Sequence, residues 1–103
     1  MKHLKTFEDN KTKRYIVVEK QINQDWYSYH FMDIFEILSE DDIYYKIQHH
    51  YRYDFKINKL IKKDDSSLSS KWFIENNIVF ESNFLEDCLK YISVSSDLKK
   101  YNI

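Results

Sequence analysis

The chain has 103 residues, and its 16 basic and 17 acidic side chains nearly cancel. This length predicts one domain with one modest core, and the balanced charge argues against both a general nucleic-acid binder and an acidic mimic of DNA. The chain contains no glycine, so phosphate-binding loops and dinucleotide turns that depend on glycine are excluded.

The cellular setting follows from what the chain lacks. Cys88 is the only cysteine, so no internal disulfide can form. No apolar run approaches the roughly 18 residues of a membrane span, and the opening MKHLKTFEDNKTKRY lacks the apolar segment of a signal peptide. We therefore expect a cytoplasmic protein of a bacterial host, without cofactor or membrane. Residues 1–12 are expected to be loosely attached.

The amino-acid usage is typical of an A/T-rich gene. Phe, Tyr, Met, Ile, Asn and Lys make up 51 of the 103 residues, while Gly, Pro and Ala are all missing. Bacteria with A/T-rich genomes, their phages and some large viruses have this codon supply.

A β-hairpin is predicted from Arg14 to Asp33, because RYIVVEKQ is rich in β-branched residues and Asn23 suits a turn. A two-residue turn at Asn23 and Gln24 gives four cross-strand pairs: Lys20 with Tyr27, Val18 with Tyr29, Ile16 with Phe31, and Arg14 with Asp33. The segment that follows, 33–42, is ambiguous, because its apolar residues also fit one helical turn and its acidic end fits a solvated loop or a helix start.

Residues 43–61 alternate between apolar and polar side chains. Eight of the ten odd positions are apolar or aromatic, which favours a strand over a helix. Nineteen residues of strand would span roughly 60 Å, so the segment must bend, bulge or fold back. A bent strand or an odd-numbered loop near 49–51 keeps the odd positions on one face, and a first helical turn stays an alternative.

The C-terminal third is predicted as a polar loop at 62–71, a second hairpin at 71–81 and a helix that begins near Asn83. The hairpin has a three-residue loop at Glu75–Asn77 and pairs Ile74 with Ile78, Trp72 with Phe80, and Lys71 with Glu81. Asn83 is the expected helix cap, with Glu86 in the reciprocal position, and residues 94–103 add a further turn or fray. The apolar stripe of the helix is Phe84, Leu85, Cys88, Leu89 and Ile92.

The fold class is therefore predicted as α+β, a single domain with an antiparallel sheet of four or five strands covered on one face by the C-terminal helix.

Catalytic and metal sites have weak support in the sequence. Adjacent His49 and His50 point to opposite faces of a strand, so they cannot share a metal ion, and no zinc spacing joins them to His3, His30 or Cys88. Cys88 lies on the apolar stripe and is expected in the core. A nucleic-acid-binding or nuclease face remains as an alternative, because His50, Arg52 and Lys56 would share one face of a strand.

A protein-binding surface is the favoured site. Nine Tyr and two Trp exceed what so small a core can enclose, and such residues are enriched at interfaces. The face of the first hairpin opposite the core is expected to expose Tyr15, Trp26, His30 and Met32. One of Tyr44 and Tyr45 should also be exposed, since they point to opposite sides.

In general profile the chain resembles small phage-encoded inhibitors such as anti-CRISPR proteins, and also immunity proteins that neutralise toxins. The resemblance rests on size, A/T-coded composition, α+β class and the lack of catalytic motifs, not on aligned residues. It implies a non-enzymatic inhibitor that blocks a larger protein, such as a CRISPR effector or a toxin. A small nucleic-acid-binding protein and a homodimeric module are the alternatives.

Overall fold

A computed structural model of the protein describes residues 12–101, with side chains for residues 12–96. The predicted α+β fold is confirmed. The elements are β1 (Tyr15–Asn23), β2 (Ser28–Glu40), β3 (Tyr44–Asp54), β4 (Lys59–Ser70), α1 (Lys71–Glu75), β5 (Ile78–Ser82) and α2 (Leu85–Tyr101). The prediction for the N-terminus concerns residues that, apart from Thr12, lie outside the described range.

The five strands form one antiparallel sheet in the order β4-β3-β2-β1-β5, and each face carries its own core. On the face that α2 covers, Cys88 and Ile92 pack against Val17 and Ile34. On the opposite face, Ile74 of α1 closes the second core. We call these the α2 face and the α1 face. The α1-face core consists of Ile16, Val18, Tyr45, Ile47 and Ile74.

The first hairpin exists, but its predicted register is wrong by four residues. Ile16 lies opposite Phe35 rather than Phe31, because the turn at 24–27 is centred two residues later in the chain than the predicted turn at 23 and 24. The amide of Gln24 closes this turn on the carbonyl of Tyr27, at 2.8 Å. Because four is an even number, this shift in pairing leaves each side chain on the face of the sheet that was predicted for it. β2 continues to Glu40, so the helical alternative for 33–42 is wrong.

Residues 43–61 are extended, as predicted, and fold back as a hairpin. The turn occupies 55–58, where Asn58 adopts a positive φ of 54°. An irregularity near His50 was expected, but its consequence differs from the prediction: His49 pairs with Phe35 and Tyr51 with Ile34, so His50 is an extra residue in β3. Odd positions therefore face α1 before this bulge and α2 after it.

The predicted polar loop at 62–71 and the second hairpin are both wrong. Residues 59–70 form β4, an edge strand whose two faces are largely exposed, which removes the apolar alternation that marks a half-buried strand. Lys71–Glu75 forms the helix α1, whose first turn is capped by the Ser70 hydroxyl. β5 pairs with β1 instead of with the segment that precedes it.

The C-terminal helix is confirmed, although its predicted cap is wrong. The helix begins at Leu85, so Asn83 lies one residue before the capping position, and its amide donates to the carbonyl of Lys13, at 2.6 Å. The Ser82 hydroxyl instead accepts the backbone N–H of Phe84. The helical backbone runs to Tyr101, beyond the predicted stripe. Within the described part of the chain, neither helix has the length and apolarity that a membrane crossing requires.

Candidate functional site

Four aromatic side chains form a continuous row at the free end of the first hairpin. Tyr29 and Phe31 lie two residues apart on the α1 face of β2, and Trp26 and Tyr27 extend the row into the turn. Neighbouring ring centroids are 4.3, 6.3 and 5.0 Å apart from Trp26 to Phe31. Exposure increases outward: Tyr29 and Phe31 are half-buried, Tyr27 is 40% exposed and Trp26 is 82% exposed. We call these four residues the aromatic ladder.

Arg52 covers the inner end of the aromatic ladder. Its guanidinium carbon lies 4.4 Å from the centroid of the Phe31 ring, a cation–π contact. Its Nε donates to Oδ1 of Asp33 at 2.7 Å, and a second nitrogen reaches Oδ2 at 3.4 Å. Since Tyr29 and Asp33 lie two residues to either side of Phe31 on the strand, Arg52 covers the ring face that Tyr29 does not.

The buried carboxylate of Asp33 holds this arrangement in place. Asp33 is 1% exposed, and His49 adds a contact of 3.0 Å between its Nε2 and Oδ1 of Asp33. Burial alone raises the pKa of Asp33, but the hydrogen bonds from His49 and Arg52 outweigh it and leave the pKa below its usual value. Asp33 is therefore an ionised anchor that positions Arg52 against the ladder.

A shallow groove borders the ladder on the β1 side. It has a volume of about 170 Å³ and lies between Tyr29, the end of β1 and Phe73 of α1. The ammonium of Lys20 lies 4.5 Å from the centroid of the Phe73 ring. The ladder and this groove thus form one open surface, and Phe73 of α1 lies at its margin.

The residues predicted to bind a protein are not one surface. Tyr15 and Met32 are buried in the α2-face core, so their predicted exposure is wrong; the helix covers the face that the hairpin was expected to leave open. His30 is half-buried beneath Phe55 and contacts Glu19. Tyr15 and Met32 therefore offer almost no surface to a partner, and the binding role of the partly exposed His30 stays a prediction.

Of the remaining predicted residues, Trp26 is exposed and Tyr45 is buried in the α1-face core. Tyr44 is the exposed member of its pair, as the alternation required. It pairs with Ser70 at the opposite end of the sheet from Trp26. Of the residues predicted to bind a protein, only Trp26 therefore belongs to the ladder. The binding role of Trp26 and Tyr44 stays a prediction.

The predicted polar row of His50, Arg52 and Lys56 does not form. His50 is half-buried and contacts Glu36 and the ring of Tyr15 on the α2 face. Arg52 lies on the α1 face, and Lys56 lies in the turn. The bulge at His50 separates them, because the extra residue reverses the side to which the later residues point.

The potential metal ligands of the chain include His3, His30, His49, His50 and Cys88. His3 lies outside the described residues. Among the residues that are described, no group of three or more His, Cys, Asp or Glu side chains is placed to hold an ion.

The thiol of Cys88 is buried. Burial, with a smaller contribution from the charge of Asp87, raises the pKa of this thiol to about 11.

Sequence reasoning missed Tyr27, Tyr29 and Phe31 as site residues and assigned them to the core face of the hairpin. The face was right, but the core on that face ends before the hairpin does. One signal was available: Lys20 stands at a position of β1 that points to this face, where a closed core would need an apolar residue.

Comparison of the chain with protein-family models, with curated proteins and with solved structures finds no match.

Proposed function

We propose that the protein is a small non-enzymatic inhibitor that uses the aromatic ladder to bind a larger protein and block its active or substrate-binding surface. The observation that carries this proposal is the exposed, contiguous row from Trp26 to Phe31, fixed in place by Arg52 and Asp33. Tyr and Trp dominate the energetics of protein interfaces, because they combine a large apolar area with a polar group at the tip.

The orientation of the rings favours a protein partner over a single-stranded nucleic acid. Bases stack on open ring faces. Here Phe31 has Tyr29 against one face and Arg52 against the other, and Tyr29 is itself flanked by Tyr27. These contacts leave little room for a stacked base on Phe31 and Tyr29. The exposed Trp26 and Tyr27 are residue types that anchor protein interfaces. Asp33 also pairs with Arg52, which reduces the charge available for a phosphate.

The biological setting that we propose is antidefence in the cytoplasm of a bacterial host, with a CRISPR effector as the favoured target and a toxin as the second. The A/T-coded composition and the small α+β fold support this choice. Phage plating tests it: expression of the chain should restore plaque formation on a host whose defence system otherwise stops the phage. Protection of cells from a toxin would replace this target with the second one.

The binding surface is tested by photocrosslinking. A benzophenone amino acid replaces Tyr27 in one variant and Phe84 in the other; Phe84 is a matched control, because it is aromatic and 63% exposed. It follows β5 next to the start of β1, whereas the ladder lies at the end of β1, about 27 Å further along the strand. We expect a crosslinked partner of defined mass from position 27 alone.

Affinity for the purified partner is then measured for Trp26→Ala, Tyr29→Ala and Phe84→Ala. The two ladder variants should raise Kd by about tenfold to several hundredfold, as central aromatic residues of interfaces do, while Phe84→Ala should leave Kd within about twofold. Equal crosslinking from both positions, or equal affinity of all three variants, rejects the ladder as the interface. Salt-sensitive binding of labelled RNA or DNA that Trp26→Ala abolishes would favour the nucleic-acid alternative.

A further inference from the structure

The edge strand β4 carries a pattern that an identical strand can complement. β4 has twelve residues and, among residues 12–101 that the structure describes, stands at the end of the sheet and pairs only with β3. Such an edge offers a row of backbone donors and acceptors to another strand. Natural edges often carry charges of one sign, which repel a second copy. β4 instead carries both signs side by side, in the sequence Lys62-Lys63-Asp64-Asp65.

Two pairs of β4 side chains lie at equal distances from Asp64 and would complement each other in a second copy. One residue to either side stand Lys63 and Asp65, which have opposite charges. Four residues to either side stand Leu60 and Leu68, which are 43% and 67% exposed. Leu60 lies opposite Tyr53 and Leu68 opposite Lys46, so both leucines point to the α2 face.

We propose that two copies of the chain associate through β4, in an antiparallel pairing centred on Asp64, and form a continuous ten-stranded sheet. A two-fold axis normal to an antiparallel sheet must place one residue opposite its own copy. With Asp64 on the axis, Lys63 of each copy faces Asp65 of the other copy. In the same way, Leu60 of each copy faces Leu68 of the other. Opposite charges and apolar pairs directly across two strands are stabilising.

The register centred on Asp64 is favoured over the neighbouring register, which is centred on Lys63. Pairing about Lys63 places that lysine opposite itself and moves Leu60 opposite Ser66 of the second copy, so both leucine contacts are lost. The register on Asp64 brings two carboxylates together at its centre. Lys62 of each copy is the diagonal neighbour of the other copy's Asp64 on the same face and partly offsets this repulsion.

Association should be weak, because the contact is one strand wide and β4 is irregular at its centre. Lys63 and Asp64 lie between the residues paired with His49 and Tyr51, so β4 is longer than β3 at this point and bends. Contacts of this size belong to the smallest class of interfaces. The concentration series must therefore extend to about 1 mM, where a complex of only about 4 kcal/mol becomes half-formed.

Sedimentation velocity and equilibrium on the full chain provide the test. The wild type should pass from monomer to dimer within this range. Lys63→Asp and Asp65→Lys alone should each raise Kd by about tenfold or more, because both symmetric charge pairs become repulsive. The double variant K63D/D65K exchanges the two charges and should restore the wild-type Kd. Asp64→Asn should lower Kd, since it removes the central repulsion.

Lys90→Asp is the control, because it changes the net charge equally at an exposed position of α2. Circular dichroism confirms that every variant is folded. A wild type that stays monomeric up to about 1 mM, or a double variant that fails to recover, overturns the proposal. The test is independent of the ladder, because Trp26→Ala should leave the sedimentation of the protein unchanged while it weakens binding of the inhibited partner.

Discussion

Replacement of Asp33 by Asn should cause a large loss of stability for a single isosteric change. Asp33 is almost fully enclosed and accepts hydrogen bonds from Arg52 and His49. Removing one partner of a buried ion pair typically costs about 3–5 kcal/mol. The Arg52 side chain is 30% exposed, so water can partly solvate the guanidinium that loses its carboxylate. We therefore expect a loss of about 2–3 kcal/mol, out of the roughly 5–15 kcal/mol typical of a domain.

The same carboxylate fixes the pH dependence of this contribution. The pKa of Asp33 lies below its usual value in the folded protein, because the hydrogen bonds from His49 and Arg52 outweigh burial. A group with a depressed folded pKa stabilises the fold above its unfolded pKa of about 3.9, and this contribution disappears as the pH falls through the folded value. Asp33→Asn should therefore reduce stability at pH 7 and flatten the loss of stability below about pH 4.

Urea unfolding followed by far-UV circular dichroism is the suitable assay, because Trp26 and Trp72 are both well exposed and their fluorescence should change little on unfolding. Glu40→Gln is the control. Glu40 forms ion pairs with Lys71 and Arg14 at the surface, where solvent screens such pairs, so its loss should be much smaller. If Asp33→Asn changes the unfolding free energy by less than about 0.5 kcal/mol at pH 7, the charged anchor is not what holds Arg52.

Two further predictions concern the thiol and the turn. Because burial and the charge of Asp87 raise the pKa of Cys88 to about 11, the native protein should react with Ellman's reagent at pH 8 only after urea is added; stoichiometric labelling of the folded chain within minutes would contradict this. Asn58→Ala should lower the unfolding free energy by about 1–2 kcal/mol, since Asn58 has positive φ and alanine resists that geometry. Asn58→Gly removes the same contact with Tyr53 but keeps the backbone unstrained, so an equal loss in both variants would assign the effect to the side chain.

Alternation was enough to place most side chains of the first hairpin, even though its register was wrong. Ile16 and Val18 belong to the face that the pattern assigned to the core, because the pairing is shifted from the predicted register by four residues, an even number. The prediction failed for Tyr15 and Met32, because alternation identifies two faces without showing that both are covered. Only the packing of Cys88 and Ile92 of α2 on the second face decides that.

Other features had no local signal. β4 is mostly polar and largely exposed on both faces, because it lies at an edge. A strand of this kind cannot be distinguished from a loop by a sequence pattern based on burial. α1 forms because the Ser70 hydroxyl caps it and Ile74 closes a core, although Trp72, Phe73 and Ile74 suit a strand equally well. The extra residue at His50 is set by how three strands fit together, so β3 alone does not encode it.

The bulge at His50 also determines how the aromatic ladder is built. Without it, Arg52 would share a face with His50 and point away from the aromatic rings, which would leave one face of Phe31 open for a base. With it, Arg52 reaches the α1 face, pairs with Asp33 and covers that ring. One irregular residue thus separates His50 from Arg52 and places a cation on the Phe31 ring. The exposed part of the ladder is then Trp26 and Tyr27, next to rings held by a buried ion pair, and aromatic side chains are enriched at protein interfaces.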